Sequence, residues 1–169
     1  RQRQMCIRDS NNDADIDYIF PLDADEFIYC PSREKLNTFL TLIPQDRVGM
    51  YTWRGYLPHS TEYDPDFISH FTDQRKEEIL TPKVIIPRAI AETCTLTIGS
   101  HSVRDKEGKE VQSIVFIGSN NQQFYYWFIN RFNAEFIETN DLWLGHYPIR
   151  STIQQIKKVL EKSITMMME

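Results

Sequence analysis

Asp17-Tyr18-Ile19-Phe20-Pro21-Leu22-Asp23-Ala24-Asp25-Glu26-Phe27-Ile28 carries a mostly apolar run into three carboxylates, Asp23, Asp25 and Glu26, and returns to apolar Phe27 and Ile28. Residues 17–22 read as a buried strand, so the acidic group follows a strand's carboxyl end. Carboxylates with apolar neighbours on both sides are partly desolvated. Like charges that close repel, so the group requires a cation. Asp at i and i+2 at the end of an extended segment can turn towards one ion. All-oxygen ligands point to Mg²⁺, Mn²⁺ or Ca²⁺ rather than zinc. A solvated acidic turn would account for a bare Asp-x-Asp, but here Glu26 and Phe27 continue the pattern without a turn residue.

Upstream, residues 11–17 have an Asn/Asp spacing like that of a calcium loop. The glycine of the sharp turn and the closing Glu are missing, so a solvated loop is expected. Arg1-Gln2-Arg3-Gln4-Met5-Cys6-Ile7-Arg8-Asp9-Ser10 resembles, through all ten residues, the translation of a transposase-based sequencing adapter. Fold reasoning leaves such a segment out. On that reading the native chain is cut at residue 11 in mid-domain, and residues 11–169 are the carboxyl-terminal portion of a domain. Met166-Met167-Met168-Glu169 ends without a helix stop signal and reads as a second truncation.

Downstream, Ser32 caps a helix whose apolar positions, Leu36, Phe39, Leu40 and Ile43, follow i, i+3, i+4, i+7, with Pro44 just past its end. Residues 48–56 read as a strand with Val48 and Met50 on one face and Tyr51 and Trp53 on the other. Residues 57–78, irregular and rich in Pro, Asp and aromatics, suit a long functional loop or an insertion. Residues 83–90 read as a strand broken by Pro87, hence an edge. Residues 93–98 and 111–117 also read as strands, with a charged turn at Gly108 between them. Residues 124–136 are aromatic and read as helix. Ser151 with Gln154 forms a capping box for a last helix bearing Ile153, Ile156, Leu160 and Ile164 on one face. Alternating strands and helices predict an α/β fold around a mixed sheet, with ligands gathered at strand carboxyl ends.

Ten Phe, eight Tyr and three Trp are enough for a packed core. No apolar run approaches the ~20 residues that span a bilayer. Without the adapter-like segment the cysteines are Cys30 and Cys94, too few for a disulfide framework, so reduced thiols and a cytoplasmic location, free or peripheral at the inner face of the membrane, are expected. The net charge of −5 argues against nucleic-acid binding, which needs a basic face.

Leu22-Asp23-Ala24-Asp25-Glu26-Phe27 resembles the DxD region of family 2 glycosyltransferases, in the branch carrying "LDADEF". A second segment, Gly145-His146-Tyr147-Pro148-Ile149-Arg150-Ser151 with Gln154 and Lys157, resembles that branch's "H-Y/F-P-x-R/K-S…K" segment. The two lie about 120 residues apart, in the family's order, and the resemblance covers about residues 11–160. It implies a partial GT-A domain, a Rossmann-like nucleotide-diphospho-sugar transferase whose base pocket lies upstream of residue 11. The implied reaction moves a sugar from a nucleotide-diphospho-sugar to an acceptor hydroxyl with inversion, using Mn²⁺ or Mg²⁺.

On this resemblance the metal ligands are Asp25, Asp23, His146 and, in Gly99-Ser100-His101, the competing His101. Asp23 is either such a ligand or bound to the donor ribose or sugar, and Glu26 binds a metal-bound water, orients the backbone or, more simply, forms a salt bridge to a nearby Arg. Arg150 and Ser151 start a helix whose free N–H groups suit the diphosphate, with Lys157 assisting. Asp141 and Glu138 are the candidate bases for the acceptor hydroxyl. Trp53, Tyr56 and Trp143 suit sugar stacking or, more simply, core packing. Lys83 either points to the site or is a surface strand lysine. A haloacid-dehalogenase-like phosphohydrolase, with Asp23 as nucleophile and Asp25 as acid/base, is the alternative enzyme. A non-catalytic metal- or sugar-binding domain is the third reading.

Overall fold

The computed structural model describes residues 16–57, 73–74, 79–119, 124–147 and 156. The chain opens with β1 (Tyr18–Ile19), β2 (Glu26–Tyr29), α1 (Arg33–Thr41) and β3 (Val48–Leu57). β4 (Asp73–Gln74), β5 (Ile79–Pro87), α2 (Arg88–Ala91), β6 (Thr95–Leu96) and β7 (Val103–Arg104) follow. β8 (Ser113–Ile117), α3 (Tyr125–Phe132), β9 (Ala134–Glu138) and β10 (Trp143–His146) complete the described elements. The protein is α/β, with a mixed sheet and few helices.

β3 is the axis of the sheet. Along one edge it pairs antiparallel with β5, through Gly49↔Ile85, Met50↔Val84, Tyr51↔Lys83 and Trp53↔Ile79. Its first half pairs parallel with β8, from Val48↔Ser113 to Tyr51↔Phe116. Its second half pairs parallel with β10, from Trp53↔Leu144 to Gly55↔His146. Since β5 holds the other edge, β8 and β10 share one edge of β3 in succession. The sheet therefore forks between Tyr51 and Trp53. One arm continues through β8 to parallel β9. The other continues through β10 to antiparallel β2.

Side-chain alternation along these strands builds two cores. Val48, Met50, Val84, Ile86, Val115 and Ile117 face one way and pack with Ile90 of α2, Val103 of β7, and Phe128 and Phe132 of α3. Tyr51, Ile85, Ile114, Phe116 and Leu144 face the other way and pack with Phe39 and the following Ile43 of α1. α1 forms as its periodicity predicts, and the Ser32 side chain accepts a hydrogen bond from the Lys35 amide at 3.2 Å.

Several expected boundaries move. Only Tyr18 and Ile19 of residues 17–22 are strand, and both are half-buried. Pro21 has no N–H for a ladder, so pairing ends before it. β5 is not an edge, because β1 and β3 flank it. Pro87 is its last residue, and Pro82 sits where the β3 register shifts, the kind of irregularity that tolerates a missing donor. The strand expected at 93–98 shrinks to Thr95–Leu96. The aromatic stretch 124–136 is helix only to Phe132; Asn133, at φ 47°, turns the chain into β9. The Ser151 capping box lies outside the described residues; of its helix only Ile156 is described, helical and exposed.

Candidate functional site

The two sequence segments meet in space. Glu26 of β2 is the register partner of His146 of β10, and Phe27 that of Gly145. Beyond the ladder, the Tyr147 N–H donates to the Asp25 carbonyl at 2.9 Å. Asp23 and Asp25 therefore occupy the turn before β2 rather than the end of β1. Because β2 runs antiparallel to β10, that turn lies at the carboxyl end of β10.

Within the turn, the Glu26 N–H donates to the Asp23 carbonyl at 3.1 Å. The Asp23 N–H donates to Glu26 Oε2 at 2.8 Å. The same Oε2 lies 3.1 Å from Lys83 Nζ, and Asp23 Oδ2 lies 2.9 Å from it. Lys83 and Glu26 are fully buried, whereas the Asp23 side chain is 33% exposed. The cation that the acidic cluster requires is thus supplied in part by the chain. A buried ion pair survives desolvation when further hydrogen bonds satisfy its members, as the Asp23 amide does here.

Lys83 is therefore no surface lysine. It sits on the Tyr51 face of an interior strand. A lysine directly before Val84-Ile85-Ile86, a run too apolar for an edge, was the available signal. The pairing also draws in Tyr51. Burial, and secondarily the Glu26 charge, push its phenol far above its ordinary value. Its hydroxyl has no hydrogen-bond partner among the described residues.

Asp25 faces the other way, with Oδ2 3.9 Å from His146 Nε2. Trp53 backs this pair. Its ring centroid is 4.5 Å from the His146 ring and 5.7 Å from the His101 ring, and Lys83 Nζ lies 5.7 Å from it. The two histidines expected to compete for one role therefore flank one tryptophan. His101 Nδ1 lies 2.9 Å from the Pro82 carbonyl, which can only accept, so Nδ1 carries the proton. Gly99 makes that ring position possible. It has φ 83°, and a Cβ there would stand 2.5 Å from His101 Nε2.

The remaining candidates lie elsewhere. Asp141 forms an ion pair with Lys35 of α1. It precedes β10, about 16 Å of extended chain from His146 at ~3.3 Å per residue. Glu138 ends β9 on the other arm of the fork, exposed and close enough to raise the Tyr125 phenol after burial has done so. Neither is brought to Asp25. Trp143 stacks on Tyr29 at 5.3 Å and carries the Arg54 guanidinium at 4.1 Å, while Tyr56 stacks on Tyr147 at 5.1 Å. These rings are occupied in packing. Arg150, Ser151 and Lys157 lie outside the described residues.

No group of three or more His, Cys, Asp or Glu side chains is gathered for an ion among the described residues. Asp25 and His146 nonetheless suit Mn²⁺ as one carboxylate oxygen and one imidazole. Mg²⁺ is commonly held by one or two carboxylates together with substrate phosphates, so a two-donor site fits an ion that arrives with a diphosphate. Among the described residues no helix is long and apolar enough to cross a membrane. Comparison with family models, curated proteins and solved structures finds no match to this chain.

Proposed function

We propose that this chain carries the metal–diphosphate side of a nucleotide-sugar glycosyltransferase site of the GT-A type. The observation that carries the reading is the pairing of β2 with β10, which sets Asp25 beside His146 although the two lie far apart in sequence. Mn²⁺ or Mg²⁺ held by Asp25 and His146 would supply Lewis-acid stabilisation of the departing diphosphate. Lys83 partly offsets the charge of Asp23 and Glu26 and fixes the turn, so that Asp25 is presented from a rigid support. Asp23, a third exposed, accepts hydrogen bonds from donor hydroxyls. Trp53 orients His146 and limits water behind it. The partners are a nucleotide-sugar donor and a hydroxyl-bearing acceptor, and the half-buried thiols of Cys30 and Cys94 suit the reducing cytoplasm.

The phosphohydrolase reading is weaker, because Asp23, its nucleophile, is engaged by Lys83. Calorimetric titration of UDP and GDP into the chain in Mn²⁺, Mg²⁺ or EDTA tests the proposal. Binding is expected only with metal and is expected to be weak, since the proposed site holds the diphosphate and not the base. Asp25→Asn and His146→Ala should each weaken it by about tenfold or more, at least as much as a change in a residue behind the ligands does. Equal affinity in EDTA overturns the reading.

A further inference from the structure

A cleft of about 760 Å³ begins at His101 and Pro82 and runs between the β6–β7 hairpin and α3. This volume is in the range of small-molecule sites. His101 links it to the proposed metal pair, since Trp53 contacts both the His101 and His146 rings. The cleft differs in charge from the chain as a whole, which carries −5. Arg104, Lys106 and Arg131 line it, against Asp105 and Glu110. Both acids are turned to local partners. Asp105 Oδ1 accepts the Glu107 and Lys109 amides at 2.9 Å each, and Glu110 takes the Arg104 guanidinium at 3.3 Å. On the opposite wall Trp127 is 39% exposed, and the Arg131 guanidinium lies 5.8 Å from its ring centroid.

We propose that this cleft is the acceptor subsite and that it takes an anionic saccharide, a sugar bearing a phosphate or a carboxylate. Trp127 presents an apolar face to a sugar ring. Arg131, with Lys106 across the cleft, takes the anion through charge-assisted hydrogen bonds. The Arg131 guanidinium already stands within cation–π range of Trp127 and Phe132, at 5.8 Å and 5.6 Å from their ring centroids, which limits the ordering cost of binding. The acceptor role rests on the glycosyl-transfer reading, while the ligand chemistry rests on the cleft itself.

The test is tryptophan fluorescence titration of the full chain with glucose 6-phosphate, glucuronic acid and glucose, without nucleotide or metal. At least one anionic sugar is expected to bind about tenfold more tightly than glucose, a difference of ~1.4 kcal/mol. The two anionic arms separate a phosphate ligand from a carboxylate one. Arg131→Gln, on an exposed helix face, should abolish the preference with the circular dichroism spectrum unchanged, and Arg131→Lys should restore part of it. Trp127→Ala should weaken binding of all three sugars. Equal binding of glucose and both anions overturns the proposal, as does a preference that survives Arg131→Gln combined with Lys106→Gln. Metal-dependent UDP binding alongside such a negative result would leave the glycosyl-transfer reading standing and remove the acceptor site alone. Anionic-sugar binding without any UDP binding would do the reverse.

Discussion

Replacing Lys83 with Met keeps the length of the side chain and removes the ammonium from between Asp23 and Glu26. Two carboxylates then face each other, one of them fully buried. The expected loss is about 3–5 kcal/mol of folding stability, read from urea denaturation, as for other broken buried pairs. Asp25→Asn should cost less, about 1 kcal/mol, because the 3.9 Å approach of Asp25 to His146 is too long for a hydrogen bond and contributes no more than a weak ion pair. A single residue thus separates two roles within the acidic group. Tyr51 adds a pH dependence. Its phenol is raised above the ordinary 10.0 in the folded state, first by burial and then by Glu26. A raised folded value gives stability that is complete below the unfolded value and is lost as pH rises past it, because the unfolded phenol ionises first. Alkaline unfolding should therefore set in above about pH 10. Tyr51→Phe should move its midpoint upward and change stability at pH 7 little, since the hydroxyl has no hydrogen-bond partner among the described residues. An unmoved alkaline midpoint would show that Tyr51 contributes nothing to it.

Among the elements, β2 and β10 stand out because their pairing depends on one small residue. Gly145 faces Phe27 in the ladder, and a Cβ on it would stand 2.5 Å from the Tyr29 ring and 3.0 Å from the Tyr147 ring. Tyr29 and Tyr147 also share a hydrogen bond between their hydroxyls. Gly145→Ala should cost about 1–3 kcal/mol, as overpacking does. It should also weaken UDP binding in Mn²⁺, because the same ladder sets Asp25 against His146. Undiminished metal-dependent binding would separate the ladder from the site. Ser32→Ala should cost about 1 kcal/mol through loss of the α1 cap and leave metal-dependent binding unchanged. The two elements were unequally legible. α1 follows from a cap and a 3.6-residue period, both local signals. β10 is four residues long, Trp143–His146, and both of its partners, β2 and the second half of β3, come from far upstream in the chain. Nothing in a four-residue window states that one edge will take Glu26–Tyr29 and the other the second half of β3. For the same reason residues 124–136 read as one helix. The break at Asn133 is a single left-handed residue inside a continuous aromatic run.

In the whole molecule the fork in the sheet positions the residues of the proposed site. β3 gives up β8 and takes β10 between Tyr51 and Trp53, and the β5 register shifts over the same two residues. In α/β sheets, ligands collect at the carboxyl ends of strands where the strand order changes. Lys83, the register partner of Tyr51, and Trp53 both stand at that point. A resemblance linked the acidic group to the distant His-Tyr segment, and from the residues themselves came the α/β class, the strands β3 and β8, an acidic group that requires a cation, and α1 with its cap. These are local or compositional properties: apolar spacing, a capping side chain, and like charges too close to lie uncompensated. Tertiary structure alone decided which cation answers which carboxylate. It turned Asp23 and Glu26 to Lys83, set Asp25 towards His146, gathered both histidines on Trp53 and held Asp141 on Lys35, away from the site. Charge pairing depends on distances of a few ångströms between residues far apart in sequence, and those distances are fixed only when strand order and register are fixed.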